Sequence, residues 1–134
     1  MNKALPYIMF FISVIATSQN NQTALTENEK IEKLTLYKEN AHASYYHDKF
    51  NGRKTASGKK FDNNKLTAAH KKLPFGTKLK ITNEINKKHV IVEVTDRGPF
   101  IKGREIDLSK RAFMDITSNK GSGAVNVTIE IVGN

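Results

Sequence analysis

Val94-Thr95-Asp96-Arg97-Gly98-Pro99-Phe100 is the stretch on which the reading of this chain turns. It follows an alternating run in which Val90, Val92 and Val94 share one face and Ile91 and Glu93 the other, the pattern of a half-buried strand. Asp96 is the last residue before the backbone turns. Gly98 tolerates backbone angles closed to other residues and Pro99 locks one, so Gly98-Pro99 sets a tight turn. Arg97 places a permanent cation beside the acid. Asp96 therefore has two readings: a carboxyl presented for chemistry at a strand end, or a cap for the turn that pairs with Arg97.

Outward from this stretch, the strands come into view. Thr77 to Asn83 alternates, with Leu79 and Ile81 on one face, and Glu84 to Lys88 is a polar link to the next strand, so the two form a hairpin. Ala43-Ser44-Tyr45-Tyr46 has strand character, and Leu66-Thr67-Ala68-Ala69-His70 is a second compact stretch that presents an imidazole at the edge of a strand-rich module. Ile106-Asp107-Leu108 is a short strand, and Ser109 is placed to cap a helix running to Ile116. Val125, Val127, Ile129 and Ile131 alternate with polar residues in a last strand. The coarse result is one mainly β domain, residues 41–134.

The N-terminus has another texture. Residues 1–18 read as an export signal: Lys3, then an apolar run from Tyr7 to Ala16, then the small residues Ala16-Thr17-Ser18. The run is shorter than the ~20 residues of a spanning helix, so an uncleaved anchor is the rival reading. Residues 19–40 are a polar spacer with at most a marginal helix.

The 134 residues suffice for one domain, and 38% hydrophobic content suffices for its core. Lys and Arg outnumber Asp and Glu 22 to 13, a net charge of +9 that favours anionic partners. With no cysteine, thiolate catalysis and Cys-based zinc sites are excluded. His42, His47 and His89 show no metal spacing, and no cofactor is expected. Export and the lack of any nucleic-acid motif argue against a nucleic-acid partner. In the absence of tryptophan, any sugar-stacking platform must use Tyr or Phe; Tyr45 and Tyr46 alternate across their strand, so one can face a groove. Asp62 reads as a turn cap and Asp107 as a buried or loop-fixing carboxylate.

Taken in order, Ala43-Ser44-Tyr45-Tyr46, Gly52-Arg53, Thr55-Ala56-Ser57-Gly58, Phe61-Asp62, Leu66 to His70, Leu73-Pro74-Phe75-Gly76-Thr77, Val94 to Phe100, Gly103-Arg104 and Ile106-Asp107-Leu108-Ser109 resemble the rare lipoprotein A family. The resemblance implies a six-stranded double-psi β-barrel with one or two short helices. It further implies an exported, periplasmic or wall-associated lytic transglycosylase. Such an enzyme cuts the MurNAc–GlcNAc bond of peptidoglycan, prefers strands stripped of stem peptides, and leaves 1,6-anhydromuramyl ends. The family's catalytic aspartate falls on Asp96 and its functional histidine on His70, which can also be read as a satisfied structural histidine. A family acidic position falls on Lys59, a departure from the pattern. Lys59, Tyr45, Tyr46 and Arg97 are the expected substrate contacts, Arg97 pointing away from Asp96 toward substrate or backbone. His70 is expected to bond Asp96 or to steady the sugar, and burial or a neighbouring carboxylate to keep Asp96 protonated. The protein is expected to be a monomeric, minimal barrel with no lipid anchor and no C-terminal peptidoglycan-binding repeat, meeting glycan strands and possible division or wall proteins. A non-catalytic, expansin-like glycan-binding module is the competing reading.

Overall fold

A computed structural model describes residues 32–118 and 122–133 of the chain. The expected export signal, and the spacer up to residue 31, lie outside the described residues. Among the described residues no helix is long and apolar enough to cross a membrane.

Six strands close into a barrel: β1 (Leu34–Tyr45), β2 (Thr67–His70), β3 (Lys78–Asn83), β4 (His89–Asp96), β5 (Ile106–Leu108) and β6 (Ala124–Val132), in the spatial order β1-β5-β2-β4-β3-β6. Pairs β1/β5 and β2/β4 are parallel and the other four antiparallel. Closure removes every free edge. The interior is filled by alternate residues of each strand, including Ala41, Ala43, Leu79, Ile81, Val92, Val94, Ile106, Leu108, Val127 and Ile129. The single α-helix among the described residues, α1 (Lys110–Ile116), packs Ala112, Phe113 and Ile116 onto that core, and Ser109 caps it by accepting the Ala112 N–H.

The hairpin β3/β4, the cap at Ser109 and the alternation of β6 match expectation. The start of the barrel does not. The spacer was expected to run to residue 40, yet β1 begins at Leu34 and pairs with β6 from Leu34↔Val132 onward. Its first seven residues lie mostly exposed, Leu34 and Leu36 among them, so its apolar residues do not mark a buried face; the partner strand, far away in sequence, holds them in place. Tyr37 alone turns inward, against the core.

Candidate active site

One irregularity decides where Asp96 points. Ala68 pairs with Val94 but Ala69 with Asp96, so Thr95 is an extra residue in β4. Bulges of this kind re-aim the side chains that follow them. By strict alternation Asp96 would share the interior face of Val90, Val92 and Val94. The bulge sets it instead beside Ala69, which is not part of the core cluster that holds Ala68. Ala69 pairs in turn with Asp107, and Asp107 with Ser44. A row Asp96–Ala69–Asp107–Ser44 thus crosses four strands, with the buried Ala69 between the two acidic positions. Asp96 is half-buried.

Three donors hold Asp96. Oδ1 accepts the Ala56 and Arg97 backbone N–H groups, each at 2.9 Å, and Oδ2 accepts the Tyr46 hydroxyl at 2.6 Å. The Ala56 N–H is in reach because residues 53–60 fold into a tight turn over the end of β4. There Lys54 bridges Lys60, the Thr55 N–H donates to the Lys59 carbonyl, and the Ser57 N–H to the Thr95 carbonyl. Gly58 closes this turn at φ 90° and Gly98 the next at φ 126°, angles that a side chain rarely allows. Oδ1 thus carries two amides, while Oδ2 carries only the Tyr46 hydroxyl.

Tyr46 packs its ring between Phe61 and Phe50. Burial first, then the bond to Asp96 and the charges of Asp96 and Asp107, push its hydroxyl far above the ordinary phenol range. It is therefore a permanent donor. The sequence offered it as a sugar-stacking ring; in the structure that ring is enclosed by other aromatics and its oxygen serves Asp96. Tyr46→Phe removes one charge-assisted bond, so we expect a loss of about 1.5–3 kcal/mol in stability or in transition-state binding. Thermal melts and kcat/KM checks on the same preparation separate the two. Tyr45 goes the other way, its ring 4.7 Å from Phe113 on the core side while it also lines an outer cleft.

His70 stands next to Asp96's pairing partner, but its ring bonds elsewhere. Nδ1 accepts the Lys72 and Leu73 N–H groups at 3.1 and 3.2 Å, so the ring proton sits on Nε2, which donates to Glu105 Oε1 at 2.9 Å. Burial lowers the His70 pKa, only partly offset by Glu105. Both nitrogens being engaged, the expected bond from His70 to Asp96 does not form. Glu105 itself is pulled two ways. Burial raises its pKa, but hydrogen bonds and charge from Lys38 and His70 prevail and bring it below the usual range.

Arg97 points away from the Asp96 carboxyl, as expected. Its Nη1 donates to the His70 and Leu73 carbonyls, at 3.2 and 2.9 Å, and its guanidinium lies 3.9 Å over the Phe75 ring. His70 and Arg97 together pin the 71–75 loop from both sides. The turn-cap reading of Asp96 is right about the Arg97 amide and wrong about the guanidinium. Lys59 pairs with Glu93 at 3.1 Å across a cleft also lined by Lys60, Lys65 and Thr95, beside Asp96 along β4. Asp62 caps its turn through the Asn64 N–H, and Asp107 is fixed by Ser44 at 2.5 Å and Arg104 at 2.6 Å. Among the described residues no three His, Cys, Asp or Glu side chains are grouped to hold a metal ion.

Two participants escaped the sequence. Glu105 carried no signal, being a loop residue after Gly103-Arg104. Asn63 looked like part of a turn cluster, yet it is buried and ties the Tyr46 carbonyl, Asp48 and the Lys110 N–H together.

Comparison with known proteins places this geometry. Residues 38–129 match the double-psi β-barrel family model described as lytic transglycolase. The endolytic peptidoglycan transglycosylase RlpA of Pasteurella multocida is 52% identical over 90 residues, covering 67% of this chain and 30% of that protein. The RlpA protein of Rickettsia felis is 46% identical over 101 residues, covering 73% and 44%. The chain thus spans less than half the length of these curated relatives. Among solved structures, the expansin of Clavibacter michiganensis superposes with a TM-score of 0.57 at 20% identity, covering 76% of this chain and 52% of that one. The Streptomyces papain inhibitor gives 0.54 at 21% identity, covering 76% and 96%. These two speak for the barrel alone. With a family match across more than half of its residues and relatives this close in sequence, the chain belongs to the RlpA-like lytic transglycolase family.

Proposed function

We propose that the protein is an exported, endolytic peptidoglycan lytic transglycosylase that acts at the cell wall. It cleaves the MurNAc–GlcNAc bond and leaves 1,6-anhydromuramyl ends, with a preference for strands lacking stem peptides. One observation carries the reading: Asp96 is turned by the Thr95 bulge off the interior face and held by two amides on Oδ1 and by Tyr46 on Oδ2.

A hydrolytic glycosidase needs two carboxyl groups. Here the muramyl 6-hydroxyl attacks its own anomeric carbon, so an intramolecular group replaces water and gains from proximity. Asp96 then suffices. Its protonated carboxyl gives the proton to the glycosidic oxygen as the C–O bond breaks, and the resulting carboxylate takes the proton of the 6-hydroxyl as the anhydro ring closes. The bond atoms balance, and the acid is regenerated. Tyr46 keeps Oδ2 oriented throughout, and His70 with Arg97 braces the neighbouring loop as positioning residues. The basic cleft at Lys59, Lys60 and Lys65 suits an anionic wall polymer.

Incubation with purified denuded glycan strands and mass spectrometry of the products tests this. Anhydromuramyl ends are the expected result; intact strands would overturn it. Lys59 at a family acidic position favours a second reading, a glycan-binding module without chemistry, which predicts retained binding and no such ends.

A further inference from the structure

With no tryptophan in the chain, a sugar-stacking platform must come from Tyr or Phe. The fold covers most of those rings. Tyr45 lies against Phe113, Tyr46 is enclosed by Phe50 and Phe61, and Tyr37 turns in to meet the His70 ring at 5.3 Å. Of the Phe and Tyr rings among the described residues, two stand exposed: Phe75 at 42% and Phe100 at 81%.

Both stand against the turn that leaves Asp96. The Arg97 guanidinium lies over Phe75, 3.9 Å from the ring centroid. The Phe100 ring folds back on Gly98, where an added Cβ would meet Cε2 and Cδ2 at 3.7 and 3.8 Å. Arg97 and Gly98 are the first and second residues after Asp96. Two Cα–Cα steps of about 3.8 Å therefore bound the distance from Asp96 to Gly98 at about 7.6 Å. Gly98 and Pro99 are buried, so the Phe100 ring rests on a packed base.

A phenyl ring left in water forfeits the gain of covering its face. A β-1,4-linked pyranose offers the matching surface, because its hydroxyls lie around the rim and its C–H bonds point up and down. The negative face of the aromatic ring attracts those hydrogens. Continuity with Asp96 makes the occupant a sugar and not a protein: a strand placed for that carboxyl passes within a disaccharide's length of this turn.

We infer that Phe100 is the stacking platform for a sugar adjoining the bond that Asp96 cleaves. Its task is binding: the ring holds the glycan in place and moves no proton. The inference rests on the glycan reading given above and names a contact that the acid alone does not supply.

Phe100→Trp installs a lone indole at this contact, since the chain has no other. Titrating the full chain of that variant with soluble denuded glycan strands should shift its emission to the blue and saturate, with or without turnover. Phe100→Ala should bind the same strands about three- to tenfold more weakly by calorimetry, the scale of one aromatic contact. KM should rise to match while kcat holds. Phe100→Leu keeps an apolar side chain, loses the flat face, and should bind as weakly as the Ala variant. At 81% exposure the ring carries little of the fold, so all three should melt like the wild type; if one does not, the other two decide. Emission indifferent to glycan, or wild-type affinity in Phe100→Ala, overturns the platform. Wild-type affinity in Phe100→Leu does so too, and points to an apolar docking surface instead. Any of these alongside release of anhydromuramyl ends would leave the catalytic reading intact. A saturable emission shift with no such ends from the wild type would sink that reading and leave the platform standing.

Discussion

Asp96→Asn leaves the barrel folded and lowers the release of 1,6-anhydromuramyl ends by roughly 10²–10⁴-fold, the range over which a positioned acid–base group contributes. The fold survives because the amide keeps a carbonyl oxygen to accept the Ala56 and Arg97 N–H groups, and Tyr46 can accept from the new NH₂. The loss is large because the amide can neither deliver a proton to the leaving oxygen nor take one from the 6-hydroxyl, and the mechanism asks one side chain to do both. Binding to denuded strands should be nearly unchanged, so kcat falls and KM does not rise. Turnover within tenfold of wild type by a correctly melting Asn variant would remove Asp96 from the role of acid.

What could be seen in the residues beforehand was what depends on near neighbours. The β3/β4 hairpin, β6 and the Ser109 cap all rest on alternation or on a hydroxyl three residues from its amide, and each is where it was expected. The fold class followed from a run of short motifs in order. What stayed hidden depends on pairing across the barrel. Residues 34–40 form a strand whose Leu34 and Leu36 stay exposed, so the register comes from β6 and not from a buried apolar face. The direction of Asp96 was also hidden: alternation alone puts it inside with Val94, and only pairing with β2 reveals the bulge. Tyr46 meets Asp96 from 50 residues away and Glu105 meets His70 from 35. No local rule joins such pairs, so the acid and the histidine could be named while their partners could not.

His70→Ala separates bracing from chemistry. The substitution deletes the acceptor of two backbone N–H groups, one of them on buried Leu73, and the donor to Glu105. With His70 only 1% exposed, water cannot replace the ring freely. Each orphaned group costs about 1–3 kcal/mol, so a total near 2–5 kcal/mol is expected from the 5–15 kcal/mol typical of a domain. Activity should fall with the folded fraction, through the loop that Arg97 also holds. The pH dependence supplies the sharper readout. Burial holds the His70 pKa below its ordinary value, so on acidification the unfolded chain takes up that proton before the native state does. The contribution of His70 to stability is therefore complete above about pH 6.5, the unperturbed value, and is lost as pH falls through the lower native one. Between pH 7.5 and 5 the wild-type melting temperature should drop more steeply than that of His70→Ala. Glu105 adds a further loss only below its own range, since its native pKa is also depressed. Parallel slopes for the two proteins would show that the imidazole is not held neutral by the fold. A kcat profile that loses a limb near neutrality in the variant, at unchanged stability, would make His70 a participant in proton transfer instead of a brace.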